Sequence, residues 1–341
     1  MSDVDLSEQL TKFILDREPT YRDVSVLNIT KTSAGFAREN WCFDAEWTES
    51  GTRHSKALIM RRDPGASLLH TDRVTEAGVL KVLSSEPRVL APEVYWLDED
   101  GSWLGHPAMI MERIDRGICD WFVLNDPGQP VTSRLRKAQN YISLLGALHT
   151  VGENSMSALT EILDAPDKRD AARVEVEYWA GVLRQDQLEP YPDLQFVKNW
   201  LLRHAPTAQV ITPVHGDYKP GNILIDGEEI TALLDWELLH LGDPLEDLGW
   251  VTNPTRRGEH QIDGSWERQQ IAEWYSDVTG FEVPEHELLY WNVFANFKLA
   301  TIYVTGLRHF IEGTPSKVFW GPENFTETAF DLIEEYHASV S

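Results

Sequence analysis

The chain has 341 residues, enough for about two domains or lobes, and its 42% hydrophobic and 25% charged residues are those of an ordinary globular protein. Acidic residues outnumber basic ones 55 to 30, and the formal charge of -25 repels nucleic acid and anionic membranes while tolerating cationic partners. Cys42 and Cys119 stand in no metal-ligand spacing, no apolar run approaches the roughly 18 residues of a membrane span, and the acidic start Met1 to Leu10 lacks the regions of a signal peptide, so a cytoplasmic protein is expected.

In chain order, the first third reads as short strands. Trp41 to Trp47 and Lys56 to Arg62 are apolar or aromatic runs parted by the turn-like Glu49-Ser50-Gly51. A helix follows over about Thr71 to Leu83, with Val74, Ala77, Leu80 and Leu83 at helical spacing. Two more strands, Glu93 to Leu97 and Pro107 to Glu112, complete a small α+β lobe, residues 1–112. The remainder, 113–341, reads as largely helical. Ser133 is placed to cap a helix whose apolar face is Leu135, Ala138, Ile142, Leu145 and Leu148. Residues 168–204 and 266–340 look helical too, with a β-hairpin between them and a loop over Thr252 to Gly264.

The chemistry concentrates between Val214 and Trp250. His215-Gly216-Asp217-Tyr218-Lys219-Pro220-Gly221-Asn222 offers what phosphoryl transfer needs: a carboxylate, Asp217, to take a hydroxyl proton, a hard oxygen on Asn222 for Mg2+, and a point charge, Lys219, within reach of phosphate. The strand-like Asn222 to Ile225, the turn signal Asp226-Gly227 and the returning Ile230 to Leu234 form a hairpin. Its closure brings Asp235 beside Asn222 and makes a two-ligand metal site.

The His-Gly-Asp opening resembles the catalytic loop of aminoglycoside phosphotransferases and choline kinases, within the protein-kinase-like superfamily. Asp235-Trp236-Glu237 stands where protein kinases carry Asp-Phe-Gly, and Gly242-Asp243-Pro244-Leu245-Glu246-Asp247-Leu248 is similar to the family's pattern beyond that site. The resemblance implies a bilobal protein-kinase-like α+β fold, with a small antiparallel-sheet lobe and a larger helical one. It implies ATP and Mg2+ as cofactors, Asp217 as base or hydroxyl-orienting group, Asn222 and Asp235 as metal ligands, and structural roles for His215 and Asp247.

In such a first lobe a loop covers the phosphates and a strand-borne cation pairs with a helix carboxylate. The loop candidate is Lys31 to Asn40, with Ser33 and Gly35. The strand supplies Arg61 and Arg62 in place of lysine, as in the kinase-like domains found with some acyl-CoA dehydrogenases. Alternation sends the two arginines to opposite faces; Arg61 is preferred, with Glu76 as its partner. Glu112 and Ile114 mark the hinge that would meet adenine.

A small-molecule hydroxyl substrate is expected in the helical lobe, which holds Tyr178, Trp179, Trp250, Asn253, Trp291, Asn296 and Trp320. Two classes compete, a cationic amino-alcohol or aminoglycoside and a hydroxyacyl-CoA or other lipophilic alcohol, with a slight lean away from aminoglycosides. A non-catalytic pseudokinase and a metal-dependent hydrolase built on His215, Asp217, Asp235 and Asp243 are the other readings. The protein is expected to act as a monomer or homodimer without nucleic-acid or membrane partners.

Overall fold

The computed structural model describes residues 3–32, 39–62, 73–313 and 322–341, so the loop candidates Ser33 and Gly35, and Trp320, lie outside the described residues. The chain divides into two compact units, Met1–Arg116 and Gly117–Ser341.

The first unit is α1 (Asp3–Arg17), β1 (Arg22–Thr32), β2 (Glu39–Glu49), β3 (Thr52–Arg62), α2 (Arg73–Leu83), β4 (Val94–Asp98) and β5 (Ala108–Glu112). Its five strands form an antiparallel sheet ordered β1-β2-β3-β5-β4. The β2–β3 turn is a two-residue loop in which Ser50 and Gly51 both take positive φ, the twist that suits a tight hairpin. Strand alternation turns Trp41, Phe43, Ala45 and Trp47 of β2, with Leu58 and Met60 of β3, to one face. Helix α1 lies on that face through Leu6, Leu10, Phe13 and Ile14. Each such side chain gains about 1.5–3 kcal/mol on burial, which outweighs the marginal intrinsic stability of a short helix.

The second unit contains α3 (Val131–His149), α4 (Glu153–Thr160), α5 (Ala171–Asp186), α6 (Pro192–His204), β6 (Thr212–Val214), β7 (Ile223–Asp226), β8 (Glu229–Leu233), β9 (His240–Gly242), α7 (Leu245–Thr252), α8 (Arg257–His260), α9 (Arg268–Thr279), α10 (Glu285–Ile311) and α11 (Glu323–Ser339). Helices α10 and α7 pack so closely that a Cβ added at Gly249 would lie 2.4 Å from Cβ of Trp291. The segment expected to be a loop, Thr252 to Gly264, carries a 3-10 turn at Pro254–Arg256 and then α8. Ser133 does not cap α3: the helix starts at Val131 behind Pro130, whose fixed φ of -56° initiates it earlier. None of the described helices is long and apolar enough to cross a membrane.

Candidate active site

Strand β6 pairs with β9, Val214 opposite His240, and delivers His215 directly into a bend. Gly216 holds φ +78°, and a Cβ there would come within 2.6 Å of the Leu238 carbonyl oxygen, so only glycine fits. Asp247, in the first turn of α7, braces this bend. Its Oδ2 accepts the His215 backbone N–H at 2.7 Å and its Oδ1 accepts that of Gly216 at 2.9 Å. Behind it, His149 Nε2 lies 3.2 Å from Asp247 Oδ2, and His149 Nδ1 lies 2.6 Å from the Tyr275 hydroxyl. Burial raises the Asp247 pKa, but the bond with His149 and the neighbouring imidazoles outweigh it and hold the carboxyl below its ordinary value.

His215 is fully buried and its two ring nitrogens are both engaged. The Asp217 backbone N–H donates to Nδ1 at 3.2 Å, so the proton sits on Nε2, which donates to the Leu234 carbonyl at 3.0 Å. Burial pushes its pKa down and keeps it neutral. One imidazole thus ties the residue before Asp235 to Asp217 itself. It has no nitrogen left for a metal, which removes the hydrolase reading built on it. Asp243 Oδ1 accepts the Leu245 N–H at 2.9 Å at the start of α7.

The β7–β8 hairpin pairs Ile223 with Leu233, and the Leu234 N–H donates to the Asn222 carbonyl at 2.7 Å, so the two open ends meet. Gly227 alone takes positive φ there, which makes the two-residue loop Gly227-Glu228, one residue later than the Asp226-Gly227 turn expected. Asn222 Nδ2 donates to the Asp217 carbonyl at 2.9 Å and to its Oδ2 at 3.2 Å. Asp235, past the end of β8, adopts left-handed φ 65°, ψ 58°. Lys219 pairs with the Asp217 carboxylate, and its ammonium stands 5.0 Å from the ring centre of Trp121. Trp121 in turn lies against Gly221.

In the first unit, Arg61 Nη1 donates to Glu76 Oε1 at 3.2 Å, and Glu76 Oε2 also accepts from Arg73 at 2.5 Å. Arg62 turns to the core face, where it bonds Glu39 at 2.5 Å and the Leu104 carbonyl at 3.0 Å. The amide of Glu112 donates to the Glu93 carbonyl at 2.8 Å and is therefore engaged within the sheet.

Of the helical-lobe residues named above, Trp179, Trp250, Trp291, Asn253 and Asn296 are buried, the two asparagines bonded to each other at 3.0 Å, and so belong to the core; Tyr178 is exposed. The sequence reading missed a buried charged cluster beside the loop. Lys298 of α10 donates to the Gly216 carbonyl at 2.6 Å and to Glu246 Oε1 at 3.1 Å. Glu246 Oε2 meets His240 Nε2 at 3.1 Å, and Glu175 lies 3.5 Å from the same nitrogen. Burial lowers the His240 pKa, but Glu175 and Glu246 overcome it and raise the imidazole to about 10.

The mouse (Mus musculus) acyl-CoA dehydrogenase family member 10 is 30% identical over 200 residues, covering 57% of this chain and 18% of that protein, so the chain spans only a small part of this curated relative. A structure from Ralstonia eutropha JMP134, provisionally called an aminoglycoside phosphotransferase, superposes with TM-score 0.70 at 21% identity over 97% of both chains. The choline kinase LicA from Streptococcus pneumoniae superposes with TM-score 0.60 at 17% identity over 97% of this chain and 100% of its own; LicA is also solved in complex with AMP. These likenesses show the protein-kinase-like fold. The model of the phosphotransferase enzyme family matches residues 43–282, a span that takes in the braced bend and the whole hairpin, and the chain therefore belongs to that family.

Proposed function

We propose that the protein transfers the γ-phosphoryl group of ATP to a hydroxyl of a small molecule. The observation that carries this reading is the hydrogen-bonded set of Asp217, Asn222 and Lys219, held by Asp247 and closed by a hairpin that ends on Asp235. Asp217 orients the acceptor hydroxyl and takes its proton as the new P–O bond forms. Lys219 meets phosphate charge. Asn222 and Asp235 fit Mg2+: the Asn222 nitrogen is engaged inside the loop, so its amide oxygen and the Asp235 carboxylate are the hard donors to offer. Charge on the transferring phosphoryl oxygens is neutralised by Mg2+ when it is bound. In the first unit Arg61, steadied by Glu76, is the cation for nucleotide phosphate. The AMP held by LicA supports an adenine nucleotide.

For the acceptor we favour a lipophilic alcohol such as a hydroxyacyl-CoA over a polycation. The buried tryptophans give no support, but another stretch does: Ile118, Trp121 and Phe122 are 63%, 47% and 58% exposed, and Trp121 lies against the catalytic loop at Gly221. The relation to an acyl-CoA dehydrogenase family member points the same way. The test is ADP release with Mg-ATP against hydroxyacyl-CoA thioesters, amino-alcohols and aminoglycosides. Acceptor-dependent ADP release, lost in Asp217→Ala, is expected. Nucleotide binding without turnover across the panel would favour the pseudokinase reading.

A further inference from the structure

We propose that Lys298 is a positioning residue for phosphoryl transfer, fixing the peptide plane that precedes Asp217 through the Gly216 carbonyl. The inference rests on the catalytic role proposed for Asp217. Lys298 lies on α10, beyond the residues matched by the family, and is 2% exposed. Its ammonium donates to the Gly216 carbonyl and to Glu246, and it stands 5.1 Å and 5.3 Å from the ring centres of Trp179 and Trp250.

The Gly216–Asp217 peptide unit is consequently gripped at both ends. Its C=O accepts from Lys298, and its N–H, that of Asp217, donates to His215 Nδ1. The preceding peptide is fixed by Asp247 through the Gly216 N–H. A glycine at φ +78° has no side chain to restrain its own peptide plane, so an outside donor must do so. Glu246 keeps that donor aimed and is itself held by His240. A methionine would sit among the same aromatic rings without the desolvation cost of a buried ammonium, so packing alone does not account for a lysine here.

The experiment compares Lys298→Met and Lys298→Arg with the wild-type chain by steady-state kinetics and by amide hydrogen exchange. In Lys298→Met, kcat is expected to fall by about 10- to 100-fold through misplacement of Asp217, while the KM for Mg-ATP stays within about threefold. Exchange at the Gly216 and Asp217 amides should accelerate while the amides of α10 stay protected. Lys298→Arg, which keeps a cationic donor, should recover part of kcat. Wild-type kcat and wild-type protection at Asp217 in Lys298→Met would overturn the proposal. So would loss of protection throughout α10 without rescue by Lys298→Arg, which marks a merely structural lysine. If Lys298→Met does not fold, Glu246→Gln is read the same way, and unchanged kcat there also overturns it. A wild-type chain that binds nucleotide but turns over no acceptor would instead sink the catalytic role of Asp217, with the exchange comparison still judging the clamp.

Discussion

At the end of β3 two adjacent arginines part company, whereas across the β7–β8 hairpin two residues distant in sequence come together. Arg61 turns to Glu76 on α2, and Arg62 turns to the core side, onto Glu39 and the Leu104 carbonyl. Strand alternation separates neighbours there, and each arginine acquires a different task. In the hairpin, backbone pairing closes the gap between Asn222 and the stretch leading to Asp235, and a neutral imidazole ties that stretch to Asp217. The lesson is that a strand sorts charges by face and a turn gathers them by closure, so spacing along the chain is a poor guide to proximity in either case.

The sharpest way to break this comparison is to remove a gathered group. Asp235→Ala is expected to lower Mg-ATP-dependent turnover by about 1000-fold or more while the thermal transition stays cooperative. Phosphotransfer within tenfold of wild type would mean the hairpin gathers nothing of chemical importance. Asp217→Asn, nearly isosteric, should cost about 100- to 10,000-fold in kcat with a much smaller change in nucleotide affinity. If nucleotide binding collapsed and the rate per bound ATP did not, Asp217 would be a binding group instead of the base.

The sorted pair calls for a paired measurement. Arg62→Met should destabilise the first unit by about 2 kcal/mol, through loss of charge-assisted bonds, and leave the nucleotide KM nearly unchanged. Arg61→Met should do the reverse, raising that KM by about tenfold at little cost in stability. Exchanged phenotypes in denaturation and kinetics would assign the phosphate cation to the wrong face of β3.

The smallest expected effect concerns Asp243. Burial raises its carboxyl pKa to about 7, above its ordinary value. The native state therefore binds that proton more tightly than the unfolded chain does, and the associated stability, present in acid, is lost as pH rises from about 4 to about 7. Asp243→Asn keeps an oxygen for the Leu245 N–H and removes the titration. In urea denaturation the advantage of the variant should grow by about 1.4 kcal/mol between pH 6 and pH 8. A constant offset between the two proteins would show that this carboxyl is ionised throughout.

Local signals carried much of this architecture. The β7–β8 hairpin, its apolar strands and the Arg61–Glu76 pairing were legible because each depends on strand alternation or on turn chemistry, which neighbours in sequence display, although the turn itself falls one residue past Asp226-Gly227. Helix α1 was also written there, in Leu6, Leu10, Phe13 and Ile14 at helical spacing, but Asp3, Asp5 and Glu8 mark the same stretch by charge instead of period. Trp179, Trp250 and Trp291 are core, as aromatics at helical spacing usually are. Lys298 and Glu246 were illegible for a stronger reason. Their contact depends on α10 crossing α7 over Gly249, and no short-range pattern records a helix crossing.

The left-handed backbone at Asp235 bears on how an arrested complex should be made. Aspartate and asparagine tolerate φ 65°, ψ 58° far better than most side chains, because a short polar group can bond to its own backbone there. Alanine would add a conformational cost of about 1 kcal/mol to the loss of the carboxylate and risk shifting the adjoining bend. Asp235→Asn preserves the chain path while removing the charge, which makes it the better variant for trapping nucleotide and acceptor together in a crystal.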